Sequence, residues 1–336
     1  MRAVCVIGLG LIGGSVLRAA VRSGRPAWGA TTSAEDAAAA RAAGYEVLSS
    51  TERALERARE RDALVVLATP LPAVGTVLRE VNRHAPTTLL TDVVSVQEPM
   101  HDSVRESAPA ARYAGGHPMA GTDRSGWEAG SAELFDGALW AVTIGGDTGL
   151  DAWREAALLA LDCGARVVPA SPAEHDAAVA RVSHLPHLLA AVLASVGGDG
   201  GPLAESLAAG SFRDGTRVIA TDPDLVRAMT EGNRAALLDA LDDTLGRLGA
   251  ARGALASTGS LNATLRSGHQ ARAGFYPAEP AEPVRTTVRL DAGHALRRLR
   301  ELGESGARVV SLAEDTAVAE HRPVPATNDE AAPSGE

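Results

Sequence analysis

The sequence predicts an α/β protein: a doubly wound sheet in residues 1–170, an all-helical domain in 171–275 and a small strand-helix-strand appendage in 284–315. Three observations carry this reading. Short apolar, β-branched runs alternate with Ala-rich helical stretches through the first half, the pattern of parallel strands joined by helices. A glycine-punctuated turn follows the first of those runs. Beyond "ARVVPASPAEHD" the strand signals stop, and the chain reads as Ala- and Leu-rich helices as far as Gly268.

A length of 336 residues suits two domains. Apolar residues make up 45% of the chain but aromatic ones only 3%, so the core must be built from Ala, Leu and Val. Every basic residue is arginine. Without lysine, Schiff-base and lysine-base mechanisms are excluded. A net charge of −10 argues against a nucleic-acid or anionic-membrane partner, while a few arginines still suffice for an anionic small molecule. Cys5 and Cys163 sit in apolar runs and read as core residues. The chain opens directly on a strand, so no leader peptide is expected. No apolar run reaches the roughly 20 residues that span a bilayer, and the expectation is a cytoplasmic protein.

The stretch "AVCVIGLGLIGGSVLRAAVRSG" is a buried strand, a turn and a helix. Gly8-x-Gly10-x-x-Gly13 falls where strand gives way to helix. Gly8 permits the turn, Gly10 lets a pyrophosphate approach the backbone, and Gly13 packs helix on strand. The helix N-terminus then offers free N–H groups to phosphate. This is the Rossmann-type arrangement, and residues 8–13 (Gly8, Leu9, Gly10, Leu11, Ile12, Gly13) form the predicted phosphate-binding turn. "PAWGATTS" is the second strand. Where an NAD site places an acid, it ends in Thr31, Thr32 and Ser33, which favours NADP over NAD. "ERDALVVLATPL" is the third strand, ending in Ala68-Thr69-Pro70. "TTLLTDVVSV" is the next, ending at Asp92 with Ser95 beyond. Ligands lie off the carboxyl ends of such strands. Ala68, Thr69, Pro70 and Asp92 are therefore expected at the cofactor, with Thr69, Ser95 and the loop after Tyr113 converging on its nicotinamide end. "ARYAGGHPMAG" places His117 in a glycine-rich loop after a further strand, facing the cofactor.

In the second half, Ser171 caps a helix that starts with Pro172. His184 and His187 are three apart and share a helix face. No third ligand has matching spacing, so a pocket-facing polar pair is favoured over a metal site. Arg213, Asp214 and Arg217 stand in a Gly/Ser-bounded kink. A guanidinium there suits bidentate capture of a carboxylate, with Arg217 as the clamp and Arg213 and Asp214 structural. Tyr276 to Val284 reads as a Pro/Glu linker, and the residues from 316 to 336 as a disordered tail.

In order, "VIGLGLIGGSV", "VVLATPL", "TDVVSVQ", "GGHPMAGTDRSGWEAG", "SHLPH" and "LAAGSFRDGTRVIATDP" resemble the prephenate/arogenate dehydrogenase family of tyrosine biosynthesis, over about residues 2 to 272. The resemblance implies a homodimer with its active site between a nucleotide domain and a helical domain. It also implies oxidative decarboxylation of prephenate or arogenate, with hydride transfer to NAD or NADP. His117 is implied as the catalytic base and Ser95 as its hydrogen-bond partner, orienting the ring or the substrate hydroxyl. Arg217 is implied as the carboxylate clamp. His184 and His187 are implied to line the substrate pocket, and Thr122, Asp123 and Arg272 are further candidates for substrate contact. An acid at Asp123 would favour the ammonium of arogenate. The sequence departs from the family in having Thr31 where an acid is common, Val226 where some members carry tryptophan, and a C-terminal unit shorter than a regulatory ACT domain. Two competing readings are another hydroxy-acid dehydrogenase, which usually needs a catalytic lysine, and a non-catalytic NAD(P)-sensing module, which has no use for a base and a clamp.

Overall fold

A computed structural model of the chain describes residues 1–122, 124–277, 282–291 and 293–321. Strands β1 (Val4–Ile7), β2 (Ala27–Ala30), β3 (Leu64–Leu67), β4 (Leu89–Asp92) and β5 (Arg112–Tyr113) form a parallel sheet in the order β2-β1-β3-β4-β5. Successive residues of a strand point to opposite faces, and here both faces are apolar. Val4, Val6, Leu64 and Val66 enter one core, while Cys5, Ile7, Val65 and Leu67 enter the other. That is why these strands read as continuous apolar runs rather than as alternations. Helix α1 (Leu11–Arg22) covers the first face. Helix α2 (Ala34–Ala42) follows β2, while α3 (Thr51–Glu60), α4 (Leu71–His84) and α5 (Glu98–Ser107) cover the second face.

After β5 the chain leaves this sheet. Gly115 and Gly116 pass so close to Gln97, Thr143 and the Asp92 carbonyl that a Cβ on either would overlap them. The chain then enters β6 (Gly116–Pro118), which pairs antiparallel with β7 (Leu139–Thr143). His117 is therefore a mid-strand residue opposite Ala141, not a loop residue as expected. The sequence reading also passes over β7. Helix α6 (Leu150–Asp162) leads to β8 (Arg166–Ala170), parallel to β7.

The switch to helix falls at Ser171. Its hydroxyl accepts from Glu174 N while the Glu174 carboxylate accepts from Ser171 N, and Pro172 sits at the first position. Helices α7 (Pro172–Val179) and α8 (Leu185–Gly198) are joined by one π-helical turn, Ala180–His184. The resulting run of 27 residues is long and apolar enough, by length and composition, to cross a membrane, which corrects the expectation that none exists. The run is interrupted by His175, Asp176 and His184, which are buried inside the protein. Helices α9 (Gly201–Leu207), α10 (Gly210–Thr216), α11 (Pro223–Gly232), α12 (Arg234–Thr258) and α13 (Asn262–Phe275) follow. Gly232 packs on Leu71 and Val96, so the helical part closes over the carboxyl ends of β3 and β4. Its other side exposes Val196, Leu203, Leu207, Leu248, Leu265 and Phe275.

The C-terminal unit is not an appendage. Helix α14 (Ala295–Glu304) packs on β8, and β9 (Val284–Arg289), β10 (Arg308–Leu312) and β11 (Thr316–His321) extend the second sheet to the order β6-β7-β8-β10-β11-β9. Residues 316–321, expected to be disordered, are a strand paired on both edges. Their alternating Ala317, Val318 and Ala319 were outweighed in the sequence by the polar, Pro-rich composition that follows. Residues 322–336, like 278–281 of the linker, lie outside the described residues.

Gly303 meets the Pro169 carbonyl where a Cβ would overlap it. Gly303→Val should therefore introduce overpacking of about 1–3 kcal/mol and lower the main thermal transition by several degrees. An independent appendage would leave that transition unmoved in calorimetry.

Candidate active site

The site is built on a line of buried polar groups running from the nucleotide domain into the helical one. His117 on β6 is half-buried, and its Nδ1 lies 2.9 Å from His175 Nε2 on α7. His175 Nδ1 in turn lies 2.8 Å from Asp176 Oδ1. The Asp176 carboxylate is 1% exposed, and it also accepts from Gln97 N and Glu98 N, both at 2.8 Å. Those are the first free N–H groups of α5, whose own N-cap residue, Gln97, provides no side-chain bond. Asp176 is thus a helix cap supplied across the domain boundary, with charge matched to the helix dipole. Asn233, at the start of α12, donates from Nδ2 to the Asp176 carbonyl and to His184 Nδ1.

Behind His117 a second cluster fixes the backbone. Asp92 is fully buried and accepts from Val94 N, Gln97 Nε2, Gly116 N and the Tyr113 hydroxyl. The Thr143 hydroxyl donates to Gln97 Oε1, so His101 Nε2 donates to Thr143. Burial pushes Asp92 up to about 7 and, with the neighbouring Asp92 carboxylate, raises the Tyr113 hydroxyl. Burial also brings His101 and His184 down to about 4. His117 is held well below the ordinary imidazole range, first by desolvation and then by His175 and His184 beside it. A neutral ring with one nitrogen committed and the other unbonded is what a general base requires.

The turn expected to hold a dinucleotide fits one. Gly8 has φ +99° and lies against the Ala68 carbonyl, and Gly13 lies against the Gly8 carbonyl, so neither tolerates a side chain. Gly10 meets no protein atom in the Cβ direction. Its space is open, as close approach of a pyrophosphate demands. Gly10 is also the N-cap of α1 and provides no side-chain cap, which leaves the first N–H groups of the helix for a phosphate. Thr69 Oγ1, beside Gly8, is buried without a partner among the described residues. A cleft of about 720 Å³ near Met1, Arg2, Arg61 and Glu155 lies at the opposite, amino end of the sheet and shares none of these residues.

Residues 18–169 match the family model described as prephenate dehydrogenase, nucleotide-binding domain, and residues 171–262 the one described as prephenate dehydrogenase, dimerization domain. The chain belongs to the prephenate dehydrogenase family. It is 32% identical to a prephenate dehydrogenase of Bacillus subtilis, over 71% of this chain and 66% of that protein, so the match spans just under two thirds of that relative. It is 33% identical to a cyclohexadienyl dehydrogenase of Zymomonas mobilis, over 76% of this chain and 88% of that protein. A crystal structure of a candidate prephenate dehydrogenase from Corynebacterium glutamicum superposes with a TM-score of 0.85 at 41% identity, covering 91% of this chain and 98% of that one.

The structure redistributes several expected roles. Asp92, expected at the cofactor, is fully buried, and its four bonds bracket Gly116 and the start of α5. The Leu9 side chain is buried under Gly29, leaving only its backbone at the turn. Leu11 and Ile12 open α1 half-buried, Ala68 and Thr69 line the turn, and Pro70 is the N-cap of α4. The hydrogen-bond partner of His117 Nδ1 is His175, while Ser95 is half-buried with no side-chain hydrogen bond among the described residues. His184 is wholly buried, with Nδ1 accepting from Asn233, whereas His187 is half-buried with its Nδ1 donating to Ser183 O. Arg213, Asp214 and Arg217 are exposed, and no ion pair engages them among the described residues. The turn of Arg217 packs on α8, the helix of His187. Arg272 is exposed on α13 and stacks over Tyr276. Thr122 is exposed and bonds within its own loop, and Asp123 lies outside the described residues. Sequence reasoning missed His175, Asp176, Gln97 and Asn233. The available signal was acidic and amide side chains inside apolar surroundings, which a composition reading assigns to solvent.

In an NMR titration the His117 ring should stay neutral through pH 6.5, where a free imidazole is half-protonated, and protonate only well below it. A His117 midpoint at or above 6.5 would contradict the site as described.

Proposed function

We propose that the chain catalyses oxidative decarboxylation of prephenate, arogenate or both. The observation that carries this is His117, a half-buried neutral imidazole beside the carboxyl ends of a dinucleotide-binding sheet. His117 takes the proton of the ring C4 hydroxyl. As that O–H pair becomes a C=O bond, hydride leaves C4, and the bound nicotinamide supplies its acceptor. Loss of carbon dioxide from C1 leaves an electron pair that aromatises the ring, and the proton held on His117 returns to the C4 oxygen. A neutral base at working pH makes this exchange possible in both directions.

Arg217, on the turn packed against the His187 helix, anchors a substrate carboxylate. Residues 8–13 and Thr69 hold the cofactor. NADP is favoured over NAD: Thr31 Oγ1 accepts from Ser33 N and Ser33 Oγ accepts from Asp36 N, so each hydroxyl keeps its proton to donate to a 2′-phosphate. The protein acts as a cytoplasmic homodimer on a small-molecule substrate, with no nucleic-acid or membrane partner. The apolar face on α8, α9, α12 and α13 meets its copy, a reading supported by the dimerization-domain match.

Initial rates with each substrate and each cofactor test this reading. His117→Asn should fold and bind cofactor but lose turnover by about 10²–10⁴-fold; near-full turnover would remove His117 from the chemistry. Arg217→Ala should raise KM by about one to two powers of ten with a smaller change in kcat, the loss expected for a charge-assisted bidentate bond. An unchanged KM would make Arg217 a surface residue.

A further inference from the structure

The His117 base reading leaves one question open: which ring nitrogen carries the lone pair. We propose that His175, anchored by Asp176, is a positioning residue that keeps His117 in the tautomer protonated at Nδ1, so that Nε2 is the lone pair presented to substrate. This rests on the reading of His117 as the base.

The Asp176 carboxylate is an acceptor with two backbone N–H groups already on it, so its third partner, His175 Nδ1, must donate. In a neutral imidazole the other nitrogen is then an acceptor. His175 Nε2 faces His117 Nδ1 at 2.9 Å, so His117 Nδ1 carries the hydrogen and donates. One ring nitrogen of His117 is thereby spoken for, and Nε2 is left bare. An acid that sets the tautomer of an imidazole base is the device of the hydrolytic triads, here lengthened by a second histidine. No proton needs to pass along the line. When His117 takes the substrate proton at Nε2, its Nδ1–H still donates to His175, and the Asp176 charge lies two rings away to offset the new cation.

The line also crosses the domain boundary. His117 belongs to β6, while His175 and Asp176 belong to α7. The base is in its working tautomer only when the helical domain is docked, and the same Asp176 carboxylate holds that docking through α5. The titratable groups acting on His117 are His175 on α7 and His184 on the π turn; Asp176 stands behind His175, and Asp92, bonded to Tyr113, holds the N–H of the neighbouring Gly116.

The test uses the full chain with histidine-selective ¹⁵N labelling at pH 8, with His117→Asn assigning the resonance. The wild type should show His117 protonated at Nδ1 and bare at Nε2. His175→Phe keeps an aromatic ring but removes the acceptor; it should shift His117 toward the Nε2-protonated form and lower kcat about tenfold or more, with KM changed far less. His175→Gln restores an acceptor in the same place and should recover part of kcat and of the wild-type spectrum. Wild-type His117 protonated at Nε2 would overturn the proposal whether or not any variant folds, and so would full kcat in His175→Phe. If His117→Asn is inactive in either case, the base reading survives and only the positioning role falls. If His117→Asn turns over normally, both fall.

Discussion

A carboxylate taken out of water costs several kcal/mol unless its oxygens are occupied, and Asp176 is such a group. Its two oxygens take two N–H groups from the start of α5 in the nucleotide domain and one from His175 on its own helix. Pulling the domains apart would strip the first two donors and leave a buried charge unpaired. The domain angle is therefore set by a polar constraint as well as by apolar packing of Gly232 on Leu71 and Val96. Everything the site does depends on that angle, because the base and the residue bonded to it come from opposite sides of the boundary.

The second polar cluster does a different job. Asp92, Gln97, Thr143 and Tyr113 bond to one another and to the backbone at Gly116, with no open side left to a ligand. They fix where β6 departs from the parallel sheet, and hence where His117 stands. Burial does the electrostatic work in both clusters. It lowers His101, His117 and His184, so these three are neutral at working pH and a base is available at His117.

The two ends of the chain are used unequally. The C-terminal β9, β10 and β11 complete the second sheet, and α14 seats Gly303 against Pro169, close to the start of α7. The Glu174 carboxyl of the Ser171 capping box is held below its usual range by Ser171 and also feels Glu304 and Arg300 of α14. The C-terminal unit thus buttresses the helix that carries His175 and Asp176, a more direct role than that of a detachable regulator.

Much of this was legible in the sequence. The apolar runs of β1, β3 and β4 announce a parallel sheet covered on both faces, because only that setting buries every residue of a strand. Gly8, Gly10 and Gly13 announce the phosphate turn through steric demands that no other residue meets. His117 stood out by its glycine-rich setting and by family resemblance. Other features were decided only in three dimensions. Strand β11 was hidden by the composition beside it, since pairing with β9 and β10 is a long-range event. The resemblance implied Ser95 as the partner of His117; the bond at its Nδ1 is to His175, 58 residues away. Local patterns report backbone geometry and which face is apolar. They do not report which buried polar groups will satisfy one another, because that depends on how two separately patterned domains close. The sequence by itself determined a dinucleotide-binding domain, a helical domain and a histidine at their junction; the tertiary structure decided which nitrogen of that histidine is tied, and by what, because a hydrogen bond between domains exists only once both have folded and docked.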